Sequence, residues 1–281
     1  MIALVSIEEL TICPVDQPKL KLVNNVSFAI QSGKTTCVVG ESGSGKSLTA
    51  LSIMGLLSQQ LKLQRGRVLF QGKDLTALSA EQIRHVRGRQ IGMIFQEPMT
   101  SLNPVLTVGY QIGEPLTVHL GLKGDALKNK VAELLEQVGI PADRANSYPD
   151  ELSGGQRQRV MIAMSIACEP ALLIADEPTT ALDVTVQAQI LSLLDKLKTK
   201  MNMGMLLITH DFGVVADVAD HVVVMFRGEI VESGTVSQVL KKPKHPYTKA
   251  LLACVPDAEG KKELKPIDYA WLKDKKVKAA S

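Results

Sequence analysis

A glycine-rich segment, GESGSGKS at 40–47, contains residue types that could bind phosphate. It follows the strand-like run CVVG and precedes the helix-like stretch SLTALSIMGLL, which is the setting expected for a phosphate loop. The glycines let the backbone wrap a phosphate, Lys46 reaches the β- and γ-phosphate oxygens, and the Ser47 hydroxyl can ligate Mg²⁺. The predicted phosphate-binding residues are Gly40, Glu41, Ser42, Gly43, Ser44, Gly45, Lys46 and Ser47.

Two adjacent carboxylates follow the apolar run in ALLIADEP, at Asp176 and Glu177. Asp176 would end a buried strand, where it can hold the Mg²⁺ shell, and Glu177 is placed to act on a water molecule. An acidic strand end alone is more often a helix cap or a solvated pair. Together with a phosphate loop, the pair predicts nucleotide hydrolysis.

Two other strand-like runs end in single polar residues, Gln96 after IGMIF and His210 after MLLIT. A lone Gln or His at a strand end is usually a surface residue. The carboxyl ends of parallel strands converge on the ligand in α/β proteins, however. Gln96 could therefore hold the attacking water or the Mg²⁺ shell, and His210 could contact the γ-phosphate. The chemistry alone leaves both interpretations open.

A second candidate anion site is LSGGQRQR at 152–159, directly before the apolar run VMIAMSIA. A serine and two glycines at a helix start present backbone N–H groups to an anion. The residues assigned to this site are Ser153, Gly154, Gly155 and Gln156. A chain with two phosphate cradles raises the question of which phosphate the second one binds.

The elements that position these residues alternate between strand and helix, which predicts a largely parallel α/β core. The stretch from 97 to about 163 is helical and interrupts that alternation. Within it, Asp125 is a plausible N-cap for a helix with an apolar stripe, and Asp183 is a candidate cap for a later one. HVVVMFRGEIVESG predicts a strand–turn–strand with Arg227-Gly228 as the turn.

Composition restricts the function classes. A net charge of +3 over 281 residues offers no whole-chain argument for nucleic acid, and 4% aromatic residues count against a base-stacking surface. No apolar run approaches the roughly 18 residues of a membrane-spanning helix, so a cytosolic location is expected. The tail at 261–278 holds seven lysines and three acidic residues. A solvated tail is the favoured interpretation, and contact with anionic lipid is the alternative.

Taken together, these motifs resemble the ATP-binding subunits of ABC transporters in order and spacing, over roughly residues 4 to 240. The resemblance implies a RecA-like P-loop NTPase core with an antiparallel β edge and an inserted helical subdomain. The implied boundaries are 1–96 and 164–250 for the core, 97–163 for the insertion and 251–281 for a short basic tail. ATP and Mg²⁺ are the implied cofactor set.

The resemblance also implies roles for individual residues. The loop at 40–47 is similar to Walker A, Asp176 to the Walker B carboxylate, and Glu177 to the catalytic base. Gln96 resembles the Q-loop glutamine and His210 the switch histidine, so that Glu177, His210 and Gln96 form the catalytic group and Ser47, Gln96 and Asp176 the Mg²⁺ ligands. Ser153, Gly154 and Gly155 resemble the signature loop, and Ala181-Leu182-Asp183 the D-loop.

The adenine-stacking aromatic that is common in the family has no counterpart here, because no Phe, Tyr or Trp precedes Phe28. Ile12 or Cys13 is expected to pack against the base instead. A lost stacking ring forfeits about 1 kcal/mol, which predicts modest ATP affinity and weak discrimination against GTP.

FQEPMTSLNPVLTVGYQIGEPL and KKPKHPYTKALLACVP resemble ATPase subunits of oligopeptide, dipeptide and nickel importers. Members often extend into a cysteine cluster, but this chain has only Cys254 there, so no iron–sulfur cluster is expected. The implied function is ATP hydrolysis that drives peptide import; nickel or metal-chelate import is an alternative, and a non-transport ATPase acting on nucleic acid is a remote one.

The partners implied are a second ATPase subunit, identical or homologous, two transmembrane permease subunits and an extracytoplasmic substrate-binding protein, with no nucleic acid. The implied location is peripheral, at the cytoplasmic face of the inner membrane. In such a dimer, the signature loop of one subunit closes over ATP held by the Walker A loop of the other. The second phosphate cradle would then serve the partner's nucleotide.

Overall fold

The computed structural model describes residues 3–96, 101–180 and 182–254. Their strands are β1 (Val5–Pro14), β2 (Val23–Ile30), β3 (Thr35–Val39), β4 (Leu61–Phe70), β5 (Lys73–Asp74), β6 (Ile91–Ile94), β7 (Leu172–Asp176), β8 (Gly204–Thr209), β9 (His221–Phe226) and β10 (Glu229–Thr235). The helices are α1 (Lys46–Ile53), α2 (Ala80–Val86), α3 (Val108–Leu120), α4 (Gly124–Gln137), α5 (Gly154–Ile166), α6 (Val184–Met201), α7 (Phe212–Val218), α8 (Val236–Lys241) and α9 (Pro246–Ala253).

The chain divides into two compact units. The first contains Met1–Thr76 and Leu207–Ser281, and the second contains Ala77–Leu206. The predicted helical insertion at 97–163 falls within the second unit, which also holds β6 and β7. In the part of the chain that the structure describes, we find no helix long and apolar enough to span a membrane.

The first unit contains an antiparallel sheet in the order β2-β1-β4-β5. Neighbouring residues of β1 point to opposite faces of a sheet, yet Ile12 and Cys13 are both 0% exposed. Both faces at this end of the strand are therefore covered. The expectation that Ile12 or Cys13 packs against adenine is wrong, because neither side chain presents a surface to a base.

A second group of strands in the first unit has the order β10-β9-β3. β3 is buried throughout and runs parallel to β9, and it leads into the phosphate loop and α1. β9 and β10 form an antiparallel hairpin. Arg227 and Gly228 at its tip have φ of 48° and 85°, as a tight hairpin turn requires. The predicted strand–turn–strand is confirmed.

In the second unit, β6 and β7 are neighbouring strands and pair in parallel. Both are fully buried. α4 buries Val131, Leu134 and Leu135 of its apolar stripe.

Two helix starts in the second unit test the cap predictions. The predicted cap at Asp125 is wrong, because α4 begins one residue earlier, at Gly124, with Lys123 as its N-cap. Asp125 instead lies in the first turn, where its carboxylate interacts favourably with the helix dipole. The predicted cap of α6 is confirmed, since the Asp183 side chain accepts a hydrogen bond from Val186 N–H at 2.9 Å.

Candidate functional site

The loop between β3 and α1 has a backbone path that only glycine follows without strain. Gly40, Gly43 and Gly45 have φ of 153°, 78° and 100°. A Cβ on Gly40 would lie 2.2 Å from the Met225 carbonyl oxygen, whereas a Cβ on Gly43 would meet nothing within 4 Å. Gly40 is thus required by packing as well as by conformation, and Gly43 by conformation alone.

Lys46 lies inside this loop and is 5% exposed. Its ammonium donates hydrogen bonds to the carbonyl oxygens of Gly40 and Glu41, each at 2.8 Å, so the loop is wrapped around a positive charge. The buried Ser44 hydroxyl has no hydrogen-bond partner among the described residues. Ser47 is the second residue of α1 and half-buried. A buried ammonium and an orphaned hydroxyl in a glycine loop fit an anionic group.

Two contacts from later in the chain hold the loop backbone. Glu41 N–H donates to the Tyr247 hydroxyl at 3.0 Å, and Gly228 N–H donates to the Ser44 carbonyl oxygen at 3.0 Å. Sequence reasoning assigned neither residue to the site. The KKPKHPYTKALLACVP segment and the hairpin turn were visible as motifs, but nothing in them indicated contact with the loop. A cavity of about 230 Å³ borders this part of the molecule, lined by Glu41, Ser42, Gly43, Ser44, Phe226 and Arg227.

His210 is also in the first unit and directly follows β8. It is exposed, and the next residue, Asp211, caps α7 by accepting a hydrogen bond from Gly213 N–H at 2.7 Å. Its position at the carboxyl end of a buried strand is the one that the sequence predicted.

In the second unit, Asp176, Glu177 and Gln96 lie at the carboxyl ends of two paired strands. Asp176 ends β7 and is 6% exposed, and Glu177 follows it with φ of 48°. A positive φ is uncommon for a glutamate and turns the chain sharply after the strand. The Gln96 side-chain amide donates to a Glu177 carboxylate oxygen at 3.3 Å. The structure thus brings two of the three predicted catalytic residues into contact.

Thr180 is a site residue that sequence reasoning missed. Its hydroxyl donates to the same carboxylate oxygen of Glu177 at 2.9 Å. The two donors fix the orientation of the carboxylate. The neighbouring residues Ala181-Leu182-Asp183 resemble a D-loop, and no residue pattern at 179–183 indicates contact with Glu177.

The segment at 153–156 forms the start of α5. The Ser153 hydroxyl accepts from Gln156 N–H at 3.3 Å, and Ser153 N–H donates to the Gln156 side-chain oxygen at 2.9 Å, which is a capping box. The backbone N–H groups of Gly154 and Gly155 belong to the first helical turn, which lacks intrahelical acceptors. A Cβ on Gly155 would lie 2.9 Å from a Val186 methyl, so packing against α6 also requires this glycine.

The predicted Mg²⁺ ligands combine one hydroxyl, one amide oxygen and one carboxylate, at Ser47, Gln96 and Asp176. All are oxygen donors, as Mg²⁺ prefers, and one or two carboxylates with substrate phosphates are its usual setting in nucleotide enzymes. Among the described residues, no group of three or more His, Cys, Asp or Glu side chains could hold a metal ion.

Some predictions fall on residues outside the described ranges. These are Ala181 of the proposed D-loop, 97–100 after Gln96, and the tail from 255 onward, including its lysines. Leu182 and Asp183 of the D-loop are described, and Asp183 caps α6.

Two family models match the chain. The ABC transporter model matches residues 23–180, which contain the phosphate loop, Gln96, the 153–156 segment and the Asp176–Glu177 pair. The model for the C-terminal region of oligopeptide/dipeptide transporters matches residues 231–272, which contain α8, α9 and Tyr247.

Curated relatives are similar over most of the chain. A Brucella ovis protein named as a peptide import ATP-binding protein is 54% identical over 251 residues, which cover 86% of this chain and 74% of that protein. The glutathione import ATP-binding protein GsiA of Escherichia coli K12 is 53% identical over 262 residues, covering 90% of this chain. The chain spans 42% of the length of GsiA.

Solved structures share the fold. The ATP-binding cassette MJ0796, in a dimeric post-hydrolysis state bound to ADP and Pi, has a TM-score of 0.74 at 28% identity, over 83% of this chain and 98% of that one. CbiO1 of Clostridium perfringens, part of the ABC transporter complex cbiONQ, has a TM-score of 0.76 at 28% identity, over 86% and 92%. The RecA-like P-loop fold predicted from the motifs is confirmed. The matched range contains the glycine loop around the buried Lys46, the helix start capped by Ser153 and the Asp176–Glu177 pair. On this match and on the similarity to the curated relatives, the chain belongs to the ABC transporter family.

Proposed function

We propose that this chain is the ATP-hydrolysing subunit of an importer of small peptides. The observation that carries the proposal is the identity of 54% over 86% of the chain with a relative named for peptide import. GsiA is named for import of glutathione, itself a small peptide. The match of residues 231–272 to the oligopeptide/dipeptide transporter model supports the same substrate class.

Within the first unit, the loop at 40–47 binds the phosphates of ATP. Lys46 places its ammonium where it can neutralise charge on the β- and γ-phosphate oxygens. Ser47 and Asp176 would hold Mg²⁺ with Gln96, and the ion would supply charge neutralisation on the γ-phosphoryl group. His210, which follows β8, would contact that group.

Glu177 is the proposed general base. Its carboxylate accepts hydrogen bonds from Gln96 and Thr180, both to one oxygen. A carboxylate oriented in this way can take a proton from an attacking water. The positive φ at Glu177 turns the chain sharply after β7. This arrangement suits in-line attack on a terminal phosphate.

The proposed working unit is a dimer. Ser153 and the N–H groups of Gly154 and Gly155 form an anion-binding helix start, and a chain that also has its own phosphate loop would use this start on the nucleotide of a partner subunit. The similar cassette MJ0796 is dimeric in its ADP- and Pi-bound state. The partner ATPase subunit is a second copy or a homologue.

The remaining proposed partners are two permease subunits, which would carry the membrane-spanning helices, and an extracytoplasmic binding protein that delivers the peptide. The chain would then lie at the cytoplasmic face of the membrane. The similar protein CbiO1 is one part of a larger transporter complex.

The test is to purify the membrane complex that contains this chain, identify its subunits by mass spectrometry, and measure ATP hydrolysis in liposomes. Di- to tetrapeptides are expected to stimulate hydrolysis several-fold, and nickel with a chelator is expected to have no effect. Stimulation by the nickel chelate alone would overturn the substrate class. A chain that never co-purifies with permease subunits would overturn the importer assignment.

A further inference from the structure

The C-terminal helix α9 contacts the phosphate loop through one side chain. Tyr247, the second residue of α9, is completely buried, and its hydroxyl accepts the hydrogen bond from Glu41 N–H at 3.0 Å. The two residues are 206 positions apart in the chain and both belong to the first unit. A buried tyrosine hydroxyl needs polar partners, and here a backbone amide of the nucleotide site is one of them.

The ring of Tyr247 is held firmly in place. It packs against the Phe226 ring, with the two centroids 4.3 Å apart and the planes tilted by 43°. Tilted aromatic pairs at this distance attract each other beyond simple burial. The guanidinium carbon of Arg227 lies 5.1 Å from the centroid of the Phe226 ring. Phe226 ends β9 and is followed by the hairpin turn Arg227-Gly228, in which Gly228 N–H donates to the Ser44 carbonyl oxygen. The hairpin and Tyr247 therefore support the loop at two points.

The helix start that carries Tyr247 is itself anchored. The Glu232 carboxylate accepts from the N–H groups of Lys244 and His245 at 2.7 and 3.0 Å. The His245 ring then caps α9 by accepting from Tyr247 N–H at 3.1 Å. Tyr247 thus reaches the loop from a rigid base, which leaves its hydroxyl little freedom to move.

The bond matters because of where Glu41 lies. The N–H of Glu41 is held by Tyr247, while the carbonyl oxygen of Glu41 accepts from the Lys46 ammonium at 2.8 Å. One residue therefore links a side chain of α9 to the charge that binds phosphate. The Glu41 N–H and the Gly40 carbonyl belong to one planar peptide unit, and that carbonyl also accepts from the Lys46 ammonium at 2.8 Å. If the Glu41 N–H loses its acceptor, this peptide unit can rotate, and the Gly40 carbonyl that orients Lys46 rotates with it.

We propose that Tyr247 is a positioning residue for ATP binding, which presets the Glu41 backbone and through it the Lys46 ammonium. This inference rests on the proposed function, since it assumes that the loop at 40–47 binds ATP. It assigns a role to the start of α9 within the segment 231–272. Because the effect is on the loop before ATP arrives, Tyr247 acts on nucleotide affinity more than on the chemical step.

The experiment compares Tyr247→Phe with Thr248→Val in the full-length chain. The first change removes the hydroxyl and keeps the buried ring. Thr248 is the next residue of α9, also completely buried, and its hydroxyl has no hydrogen-bond partner in the described part of the chain. It is therefore a matched control for loss of a buried hydroxyl without loss of the contact to Glu41.

ATP dissociation constants are measured by calorimetry, and KM and kcat by phosphate release. For Tyr247→Phe, Kd and KM are expected to rise about three- to tenfold, the loss typical of one hydrogen bond, with kcat within about twofold. Thr248→Val is expected to leave all three unchanged. Equal ATP affinity in Tyr247→Phe and the parent overturns the inference. If the unsubstituted chain itself does not bind ATP, the proposed function is wrong, and the inference that rests on it is wrong as well.

A second measurement needs no variant. Hydrogen exchange of the unsubstituted chain, followed for peptides that cover 40–46, is expected to show a protected Glu41 amide without nucleotide. Exchange of that amide at the rate of an unstructured peptide would also overturn the inference. This readout separates a preset loop from one that orders only when ATP binds, even if Tyr247→Phe folds poorly.

Discussion

Gln96 and Glu177 occupy equivalent positions beyond two parallel strands, and the amide of the first donates to the carboxylate of the second at 3.3 Å. The register of β6 and β7 pairs Ile94 with Ala175, so two further residues along each strand lead to Gln96 and Glu177. Their contact thus follows from strand pairing. Any movement of the chain after Gln96 would act directly on the proposed catalytic base.

The first prediction concerns Glu177→Gln. The amide has nearly the same shape but cannot take a proton from water, so the hydrolysis rate should fall by about 10²- to 10⁴-fold while ATP still binds. ATP-loaded protein should then accumulate as a closed dimer, which gel filtration detects. Glu169→Gln is the control, because Glu169 is an exposed glutamate in the same unit with a similar positive φ of 53°. An ATP hydrolysis rate in Glu177→Gln close to that of the unsubstituted chain would contradict the role of Glu177 as general base.

The second prediction compares two glycines of the phosphate loop. Gly40→Ala should abolish measurable ATP binding, because its Cβ would overlap the Met225 carbonyl oxygen at 2.2 Å and displace the loop. Gly43→Ala has open space around the new methyl group and costs only backbone strain, about 1–2 kcal/mol. The free loop can relax to relieve this strain, and ATP binding must restore it, so ATP affinity should fall by at most about tenfold. Calorimetry of ATP binding to both variants checks that Gly40→Ala loses more affinity than Gly43→Ala. A larger loss in Gly43→Ala would contradict the loop geometry.

The third prediction separates two roles of Ser153. Ser153 and Ser79 form the same capping box with a glutamine three residues later, with closely similar hydrogen-bond lengths. Alanine at either position should lower the free energy of unfolding by about 0.5–2 kcal/mol. Only Ser153→Ala should also weaken ATP-dependent dimerisation, measured by light scattering with a hydrolysis-deficient chain. An equal effect of Ser153→Ala and Ser79→Ala on dimerisation would show that Ser153 acts only as a helix cap.

The fourth prediction concerns pH. Burial lowers the pKa of His245 below its ordinary value of 6.5, although Glu232 partly opposes that shift. Below about pH 6.5 the unfolded chain takes up a proton that folded His245 resists, so stability is full above that pH and declines as the pH falls. His245→Asn keeps an N-cap acceptor without titrating. The decrease in Tm from pH 7.5 to 5.5 should be smaller in His245→Asn, and an equal decrease would contradict this role.

Much of the molecule was predictable because its signals are local. The phosphate loop, the Arg227-Gly228 turn and the Asp183 cap each lie within a few residues, where backbone conformation and capping depend on residue type. The placement of Gln96 and Glu177 at the carboxyl ends of parallel strands also follows from sequence, since such strands end at one edge of a sheet. The pairing of these two strands as direct neighbours is a feature of the tertiary structure.

Other features depend on which distant segments meet, and residue type alone does not determine that. Ile12 and Cys13 look available to a base in sequence, but packing covers both faces of β1. Gly155 was assigned to an anion site, and the approach of Val186 supplies a second reason for it. The contact between Tyr247 and Glu41 joins residues 206 positions apart. The sequence by itself determined the local shape of the phosphate loop, and tertiary packing decided what holds that loop in place.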